Sequence, residues 1–286
     1  MDPVSSLVAN NKIPVGPWGK SFFDALVGSL GTVLRAISAG LEGVLDWIVD
    51  ILLWIPPVGL ALLIALLAWY LQRSRSLAFW VFVGLLFTIN QGMWKQTVAT
   101  LVLVVAAAAL SMTIGLPIGI WVAHKPKAYR IVQPILDFMQ TMPTFVYLIP
   151  ILALFGLGAA PGLIVTVIFV IPTAVRMTHL GMTSIPKSIV EAGEAFGATK
   201  RQLLWKVELP AALPTIMSGL TQCIMLSLSM VVVAALIGAG GLGTEIVRAL
   251  NAGPRGIPLG IEAGLAIVVL AIVLDRMTRI GVGGKK

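Results

Sequence analysis

Residues 97–123 read TVATLVLVVAAAALSMTIGLPIGIWVA, a stretch that contains no charged residue. The hydrocarbon core of a bilayer requires about 20 consecutive, mostly apolar residues when a chain crosses it as an α-helix. Seven stretches meet or approach that requirement, and they follow in chain order: 51–71, 77–94, 97–123, 131–157, 160–178, 209–238 and 257–275. The sequence therefore predicts an all-α fold, a polytopic membrane helical bundle of about seven spans over residues 51–280.

The composition of the whole chain agrees with a membrane location. Only 11 % of its 286 residues are charged, 58 % are hydrophobic, and the mean hydropathy is +0.99. Soluble domains carry about 25 % charged residues, and disordered chains are rich in charge and poor in apolar residues. Both classes of protein are therefore excluded.

The net charge of +8 follows the predicted topology. Basic loops stay on the cytoplasmic side of membrane proteins, and fourteen of the 20 basic residues fall on alternate loops of this chain. They are Arg73, Arg75, Lys125, Lys127, Arg130, Arg176, Lys187, Lys200, Arg201, Lys206, Arg276, Arg279, Lys285 and Lys286. This distribution predicts a cytoplasmic tail over 281–286 and an external N-terminus. It also accounts for the positive charge through membrane topology rather than nucleic-acid binding.

Residues 18–50 form a different kind of segment. Apolar residues recur there at helical spacing with charged residues between them: Phe22, Phe23, Leu26, Leu30, Val33, Leu34, Ile37, Leu41, Val44, Leu45 and Ile48 against Lys20, Asp24, Arg35, Glu42, Asp46 and Asp50. The pattern predicts an amphipathic helix at the outer interface, within an external N-terminal segment over 1–50, and Gly31 and Gly40 are its candidate breaks. A helix that packs against the bundle would show the same pattern.

The segment 184–210 separates the fifth predicted span from the sixth and reads SIPKSIVEAGEAFGATKRQLLWKVELP. Ser184 is a candidate helix cap, and Gly197 is a candidate helix stop. Thr199 and Gln202 match a capping box that begins a second helix. The sequence thus predicts two short helices joined at a glycine, with an apolar edge that requires a docking partner.

This segment resembles the cytoplasmic coupling motif found in the permease subunits of type I ABC importers. The matching positions are Glu191, Ala192, Gly193, Gly197, Leu209 and Pro210. Gly193 stands where the family usually has alanine, and glycine in a helix costs roughly 1 kcal/mol relative to alanine. The resemblance implies that the coupling loop, residues 184–208, enters a cleft of a separate ATP-hydrolysing subunit.

The same resemblance implies the rest of a transport complex in the bacterial cytoplasmic (inner) membrane. A second copy of this chain would pair with the first around a central pathway, giving a homodimer. Two ATP-binding subunits would bind on the cytoplasmic side, and an external substrate-binding protein would deliver the solute. ATP and Mg would be bound by the partner ATPase, and this chain would bind no cofactor of its own.

Two further stretches are similar to permeases of the glycine betaine and choline (quaternary amine) uptake family. They are DFMQTMPTFVYLIP at 137–150 and IGAGGLG at 237–243. The resemblance covers about residues 50–280 and implies a transmembrane permease for choline or glycine betaine, coupled to ATP hydrolysis by alternating access. The alternatives are an ABC permease for another small solute, such as an amino acid, and an ion-coupled secondary transporter.

The glycines Gly238, Gly240 and Gly243 spell GxGxxG, which binds dinucleotides only between a strand and a helix of a βαβ unit. Here they follow an apolar span on the predicted outer side, so a tight turn with close helix packing is expected instead. The sequence contains no GxxxxGK[ST] phosphate loop, and its two histidines and one cysteine cannot supply an all-His/Cys metal site. The chain itself is therefore not expected to be an enzyme, and no catalytic, cofactor or metal residue is predicted.

Candidate pathway residues cluster in the fourth predicted span, with one more in the last. They are Asp137, Gln140, Thr141, Pro143, Phe145, Tyr147 and Glu262. Charges inside a membrane mark functional sites by default, proline frees backbone carbonyls for a water-lined path, and aromatic faces attract quaternary ammonium groups. The alternatives are a structural place for the carboxylates near the ends of their spans and a kinked packing helix for the fourth span.

Overall fold

The computed structural model describes residues 13–278, and within that range every regular element is a helix. The helices are α1 (Val15–Trp54), α2 (Pro57–Gln72), α3 (Arg75–Asn90), α4 (Trp94–Ala123), α5 (Pro126–Thr141), α6 (Thr144–Phe155), α7 (Ala159–Thr183), α8 (Lys187–Ala195), α9 (Lys200–Leu203), α10 (Leu209–Ala235), α11 (Leu242–Asn251) and α12 (Ile257–Thr278). A π-helical segment, Leu204–Glu208, joins α9 to α10, and a 3₁₀ turn, Gly253–Gly256, precedes α12. The predicted tail over 281–286 lies outside the described residues.

Apolar helices of membrane-crossing length form most of the chain. Between residues 13 and 278, four helical stretches are long and apolar enough to cross a bilayer: Trp94–Ala123, Ala159–Thr183, Lys200–Ala235 and Gly253–Thr278. Two bent helix pairs raise that count to six if each pair crosses once, and α3 is apolar but only 16 residues long. Each of the seven predicted apolar segments corresponds to one of these elements, so the all-α membrane bundle is confirmed.

The fourth predicted span, 131–157, is not one continuous helix. It consists of α5 and α6, whose axes differ in direction by 96°. Met142 lies at the break with extended backbone angles, φ −64° and ψ 131°, because a residue that precedes a proline is driven out of the helical region. Pro143 thus divides this apolar stretch of spanning length into two helices, and the kink that its prolines indicated is a bend of 96°.

The N-terminal helix α1 is continuous, so the candidate breaks at Gly31 and Gly40 are wrong. The break comes at Ile55, which is extended before Pro56, and the chain turns by 101° into α2. Leu45 of α1 is buried against apolar residues of α4 and α7. The second half of α1 therefore packs against the bundle, which is the alternative that the sequence left open.

The centre of the bundle is formed by α4, α7 and α10, where small residues bring helix backbones close together. A Cβ atom added at Gly115 would lie 2.5 Å from Ala174 Cβ, and one added at Gly119 would lie 2.5 Å from Thr178 Cβ. Lipid tails are as apolar as the side chains, so membrane helices associate largely through such close packing. The contact between α4 and α7 therefore depends on these two glycines.

We expect Gly119→Ala to destabilise the folded chain by about 1–3 kcal/mol, because overpacking pushes α4 away from α7. Gly264→Ala in α12 is the matched control, since a Cβ added there meets no described atom within 4 Å and alanine improves helix propensity. The melting temperature of each purified variant in detergent measures the difference. Equal melting temperatures for the two variants would contradict the close packing.

The joints between antiparallel helices lie at two ends of the bundle. The basic end contains the α2–α3 turn, the last residues of α4, α7 and α12, and residues 184–208; there Gln72 Nε2 donates to Met277 O at 3.5 Å. The glycine end contains residues 156–159 and 236–256; there Gly158 N donates to Ile237 O at 2.9 Å.

Candidate functional site

The 184–208 loop lies at the basic end and folds as a helix, a tight turn and the start of a second helix. α8 ends at Phe196, and Gly197 follows with φ +76°, a left-handed conformation that glycine adopts without steric cost. Thr199 then begins α9 through a capping box: Thr199 N donates to Gln202 Oε1 at 2.9 Å, and Gln202 N donates to Thr199 Oγ1 at 3.3 Å. The predicted glycine stop and capping box are both confirmed.

Ser184 has a different role from the one predicted. It ends α7 rather than capping α8, and its hydroxyl donates to Gly181 O at 3.0 Å. Pro186 occupies the cap position of α8, with extended backbone angles and no side-chain hydrogen bond. Ser184 therefore caps the end of α7, whereas the sequence predicted that it caps the start of the following helix, α8.

The second short helix of the loop is not a separate element. The chain is helical from Lys200 to Ala235, so α9, the π-helical segment and α10 form one long helix. Pro210 has no N–H with which to bond the carbonyl of Lys206, and the helix widens into π turns directly before it. Single π turns within α-helices occur frequently at functional sites.

Gly193 lies where α8 rests on this long helix. A Cβ atom added at Gly193 would lie 2.7 Å from Leu203 Cδ1 and 3.4 Å from Val207 Cγ2. The glycine that departs from the family pattern therefore permits a close approach between α8 and the π-helical segment. As a result, the two parts of the 184–208 loop pack against each other.

The outward surface of the loop combines apolar and charged side chains. Phe196 is 92 % exposed, and Ile189 and Trp205 are exposed as well. Glu191 and Ala192 are also exposed on α8, and they lie between Ile189 and Phe196 in the sequence. Exposed apolar side chains rimmed by polar residues mark protein interaction sites, so this surface is suited to entering a cleft of another protein.

A polar stripe runs along α5, at positions i, i+3 and i+4. Its members Asp137, Gln140 and Thr141 are all exposed. Arg176 of α7 donates from Nη2 to Asp137 Oδ1 in an ion pair, and Gln140 Nε2 donates to Thr173 Oγ1 of the same helix at 3.1 Å. The stripe therefore lies along the edge where α5 meets α7.

The two candidate aromatic residues on α6 occupy different environments. Phe145 is exposed, in the first turn after Pro143. Tyr147 is only 7 % exposed, and its hydroxyl donates to Met139 O across the bend. Tyr147 thus braces the α5–α6 bend, whereas the ring of Phe145 is free to contact another molecule.

The run 237–243 forms a tight turn at the glycine end. Gly238, Gly240 and Gly241 have φ of +85°, +76° and +73°, and the turn joins α10 to α11 with no strand within the described part of the chain. Leu242 N, at the start of α11, donates to Thr100 Oγ1 of α4 at 2.8 Å. The expected tight turn with close packing is confirmed.

A cavity of about 480 Å³ lies beside this turn, and its charged lining residues are Glu42, Asp46, Lys95 and Glu245. Glu42 Oε1 accepts a hydrogen bond from Ala159 N at 3.2 Å. Glu245 accepts hydrogen bonds from Gln96 at 3.2 Å and from Arg248 at 2.8 Å.

The candidate residue Glu262 is half-buried in the second turn of α12, so it belongs to the glycine end and not to the α5 stripe.

Sequence reasoning missed one contact at the basic end. His124, directly after α4, places Nε2 3.0 Å from Oε2 of Glu208, which lies 84 residues away. A weak indication that Glu208 is functional was present in the sequence, because it directly precedes Leu209 and Pro210 of the coupling motif. No such indication was present for His124. Among the residues of 13–278, no group of three or more His, Cys, Asp or Glu side chains is arranged to hold a metal ion.

Comparison with known proteins gives a consistent picture. The family model described as "Binding-protein-dependent transport system inner membrane component" matches residues 115–281. The glycine betaine transport system permease protein OpuAB of Bacillus subtilis is 43 % identical over 268 residues, which cover 94 % of each chain. The glycine betaine/proline betaine transport system permease protein ProW of Escherichia coli is 41 % identical over 267 residues, covering 93 % of this chain and 75 % of ProW.

Solved structures contain the same fold. A chain of the inward-facing MetNI methionine ABC transporter superposes with a TM-score of 0.60 at 23 % sequence identity. The superposition covers 65 % of this chain and 94 % of that one. At this level of identity the likeness concerns the arrangement of helices, and it agrees with the predicted type I importer fold.

Proposed function

This chain belongs to the family of binding-protein-dependent transport system inner membrane components, and from that membership we propose that it imports a quaternary ammonium compound, with glycine betaine as the first choice. It is the membrane permease subunit of an ABC transporter. The observation that carries the substrate is the likeness over more than nine tenths of the chain to OpuAB and ProW, whose names both include glycine betaine. Choline is the second choice.

The energy would come from ATP hydrolysed by a partner subunit that binds the 184–208 loop. The exposed side chains of Glu191, Ala192 and Phe196 support this role, because they form a mixed apolar and charged surface on one short helix. Gly193, Leu209 and Pro210 would support the shape of the loop. Gly193 allows α8 to pack closely on the following helix, and Leu209 and Pro210 are the first residues of α10. The ATP and Mg would therefore be held outside this chain.

Two copies of the chain would pair along the exposed apolar face of α5 and α6, which includes Ile131, Ile135, Phe138, Phe145 and Ile149. The polar stripe of α5 supports this arrangement. Charged and polar side chains inside a membrane face a bundle interior or a water-filled cavity rather than lipid. A second copy placed against α5 would give Asp137, Gln140 and Thr141 such a cavity.

The same arrangement suggests which residues contact the solute. Phe145 offers an exposed aromatic ring, and cation–π attraction to a quaternary ammonium group contributes about 0.5–2 kcal/mol. Asp137, Gln140 and Thr141 would line the path, and Pro143 would set its bend. Tyr147 would support the bend from behind, and Glu262 would act nearer the glycine end.

The basic end would face the cytoplasm of a bacterial cell, with the chain in the inner membrane. The excess of Lys and Arg on the loops of this end supports that orientation. The external binding protein would then approach the glycine end, which is also where α1 packs against the bundle. The N-terminus would lie outside and the C-terminus in the cytoplasm.

Competition between solutes tests the substrate directly. Proteoliposomes would contain this chain with its ATP-binding subunit and its binding protein, and uptake of labelled glycine betaine would be measured with unlabelled solutes added. We expect glycine betaine to compete best, choline to compete more weakly, and methionine to have no effect. Uptake that methionine suppresses, or that glycine betaine leaves unchanged, would contradict the proposal.

A further inference from the structure

Glu208 is a buried acid at the joint between the 184–208 loop and the membrane bundle. It is the last residue of the π-helical segment, and it is only 9 % exposed. Burying a carboxylate is costly unless it is paired and hydrogen-bonded. Its partner across the helix boundary is His124, with 3.0 Å between Oε2 and Nε2.

Both ring nitrogens of His124 lie within hydrogen-bonding distance of an oxygen atom. Nδ1 of His124 lies 2.9 Å from Ile120 O, and a backbone carbonyl can only accept, so Nδ1 carries a hydrogen. Nε2 therefore has a free lone pair unless the ring is an imidazolium. The 3.0 Å contact between Nε2 and Glu208 Oε2 is then a hydrogen bond from whichever of the two groups carries the hydrogen.

Apolar contacts connect the loop to the end of α4 that precedes His124. The Gly193 position of α8 lies against Leu203 and Val207, which flank or belong to the π-helical segment. Leu204 of that segment packs into an apolar cluster with Ile120 and Ala123 at the end of α4. Packed side chains thus connect α8 to the end of α4, next to Glu208 and His124.

Helix α4 continues from His124 to the opposite end of the bundle. Its 30 residues span about 45 Å at 1.5 Å per residue. At the glycine end, Thr100 Oγ1 accepts from Leu242 N at 2.8 Å, and Gln96 Nε2 donates to Glu245 Oε1 at 3.2 Å. One helix thus contacts the 184–208 loop at one end and the turn beside the 480 Å³ cavity at the other.

We propose that the Glu208–His124 contact makes α4 a strut, which transmits displacement of the coupling loop to the turn at the glycine end. The inference rests on the proposed function, because the displacement is the one that an ATP-binding partner imposes on α8. Glu208 and His124 are positioning residues in this account. They contact no substrate, and they fix how far the glycine end moves for each movement of the loop.

The experiment is a double-mutant cycle on the reconstituted complex, with solute molecules taken up per ATP hydrolysed as the readout. We expect His124→Ala and Glu208→Ala each to lower that ratio by about two- to thirtyfold, the range found for residues that modulate coupling between sites. The double variant is expected to be no worse than the poorer single variant, because both remove one contact. Lys127→Ala, which removes a nearby exposed charge, is the control and keeps the wild-type ratio.

The variant Glu208→Gln distinguishes a loss of coupling from a loss of folded protein. Its carboxamide can donate to Nε2 of a neutral His124, so the variant keeps a hydrogen bond without the charge, and we expect it to retain most of the wild-type ratio. Unchanged ratios in the alanine variants, or effects that add in the double variant, would overturn the inference. If the wild-type complex shows no ATP-dependent uptake, the proposed function fails instead, so the two failures are distinguishable.

Discussion

Phe196→Asp is expected to abolish ATP-driven uptake while the amount and the melting temperature of the folded chain stay unchanged. The ring is 92 % exposed, so it contributes little to the stability of this chain. Burying a phenylalanine side chain in a partner's cleft contributes about 1.5–3 kcal/mol, and a carboxylate in the same cleft adds a desolvation cost. Together these terms weaken binding of the ATP-hydrolysing subunit by at least about 100-fold.

The measurement is co-purification of the ATP-binding subunit together with uptake into proteoliposomes. Phe196→Leu is the matched control, since it keeps an apolar side chain at the same position and is expected to retain most uptake. Glu191→Ala, on the same exposed surface of α8, is expected to act in the same direction as Phe196→Asp. Normal uptake in both Phe196→Asp and Glu191→Ala would show that the loop does not bind the partner.

A second effect concerns the ion pair between Asp137 and Arg176. Asp137→Ala leaves the guanidinium of Arg176 without its carboxylate, and Arg176 Nε is already buried with no partner among the described residues. Arg176 lies two turns from the end of α7, and the side chains of the pair are 33 % and 51 % exposed, so we expect a loss of about 1 kcal/mol, which corresponds to a roughly fivefold shift toward unfolded or misassembled chain. Asp24→Ala, which removes an exposed carboxylate from α1, is the control and should have no effect.

A charge exchange distinguishes packing from transport. If the pair stabilises the bundle, the double variant Asp137→Arg with Arg176→Asp recovers most of the folded chain that either single change loses. Thermal stability in detergent reports this recovery. If Asp137→Asn folds normally and changes only the concentration dependence of uptake, then Asp137 acts in the pathway and the stabilising role is wrong.

Local sequence signals predicted the turn within the loop well, because its features depend on neighbouring residues, whereas the Ser184 cap and a separate second helix were wrong. Gly197 has the left-handed backbone expected at a helix stop, and Thr199 and Gln202 form the expected capping box. The apolar stretches were identified for the same reason, since their length and hydropathy are local properties. The turn at 237–243 also followed from its glycines.

The features that sequence reasoning missed depend on residues far apart in the chain. His124 and Glu208 are separated by 84 positions. Glu42 accepts a hydrogen bond from the backbone N–H of Ala159, which is 117 positions away. No spacing rule connects such residues before the helices are packed. The bend at Pro143 is different: the prolines indicated a kinked helix, and a residue before proline favours extended backbone, but no local pattern specifies a change of direction as large as 96°.

We expect ATP hydrolysed at the basic end to drive the solute through this chain. Proteoliposomes with ion gradients collapsed would contain the chain, its ATP-binding subunit and its binding protein, with ATP supplied on one side only. We predict uptake of labelled glycine betaine only when ATP is on the side of the ATP-binding subunit. Uptake that ignores ATP and returns with a Na⁺ or H⁺ gradient would contradict the claim and identify an ion-coupled transporter.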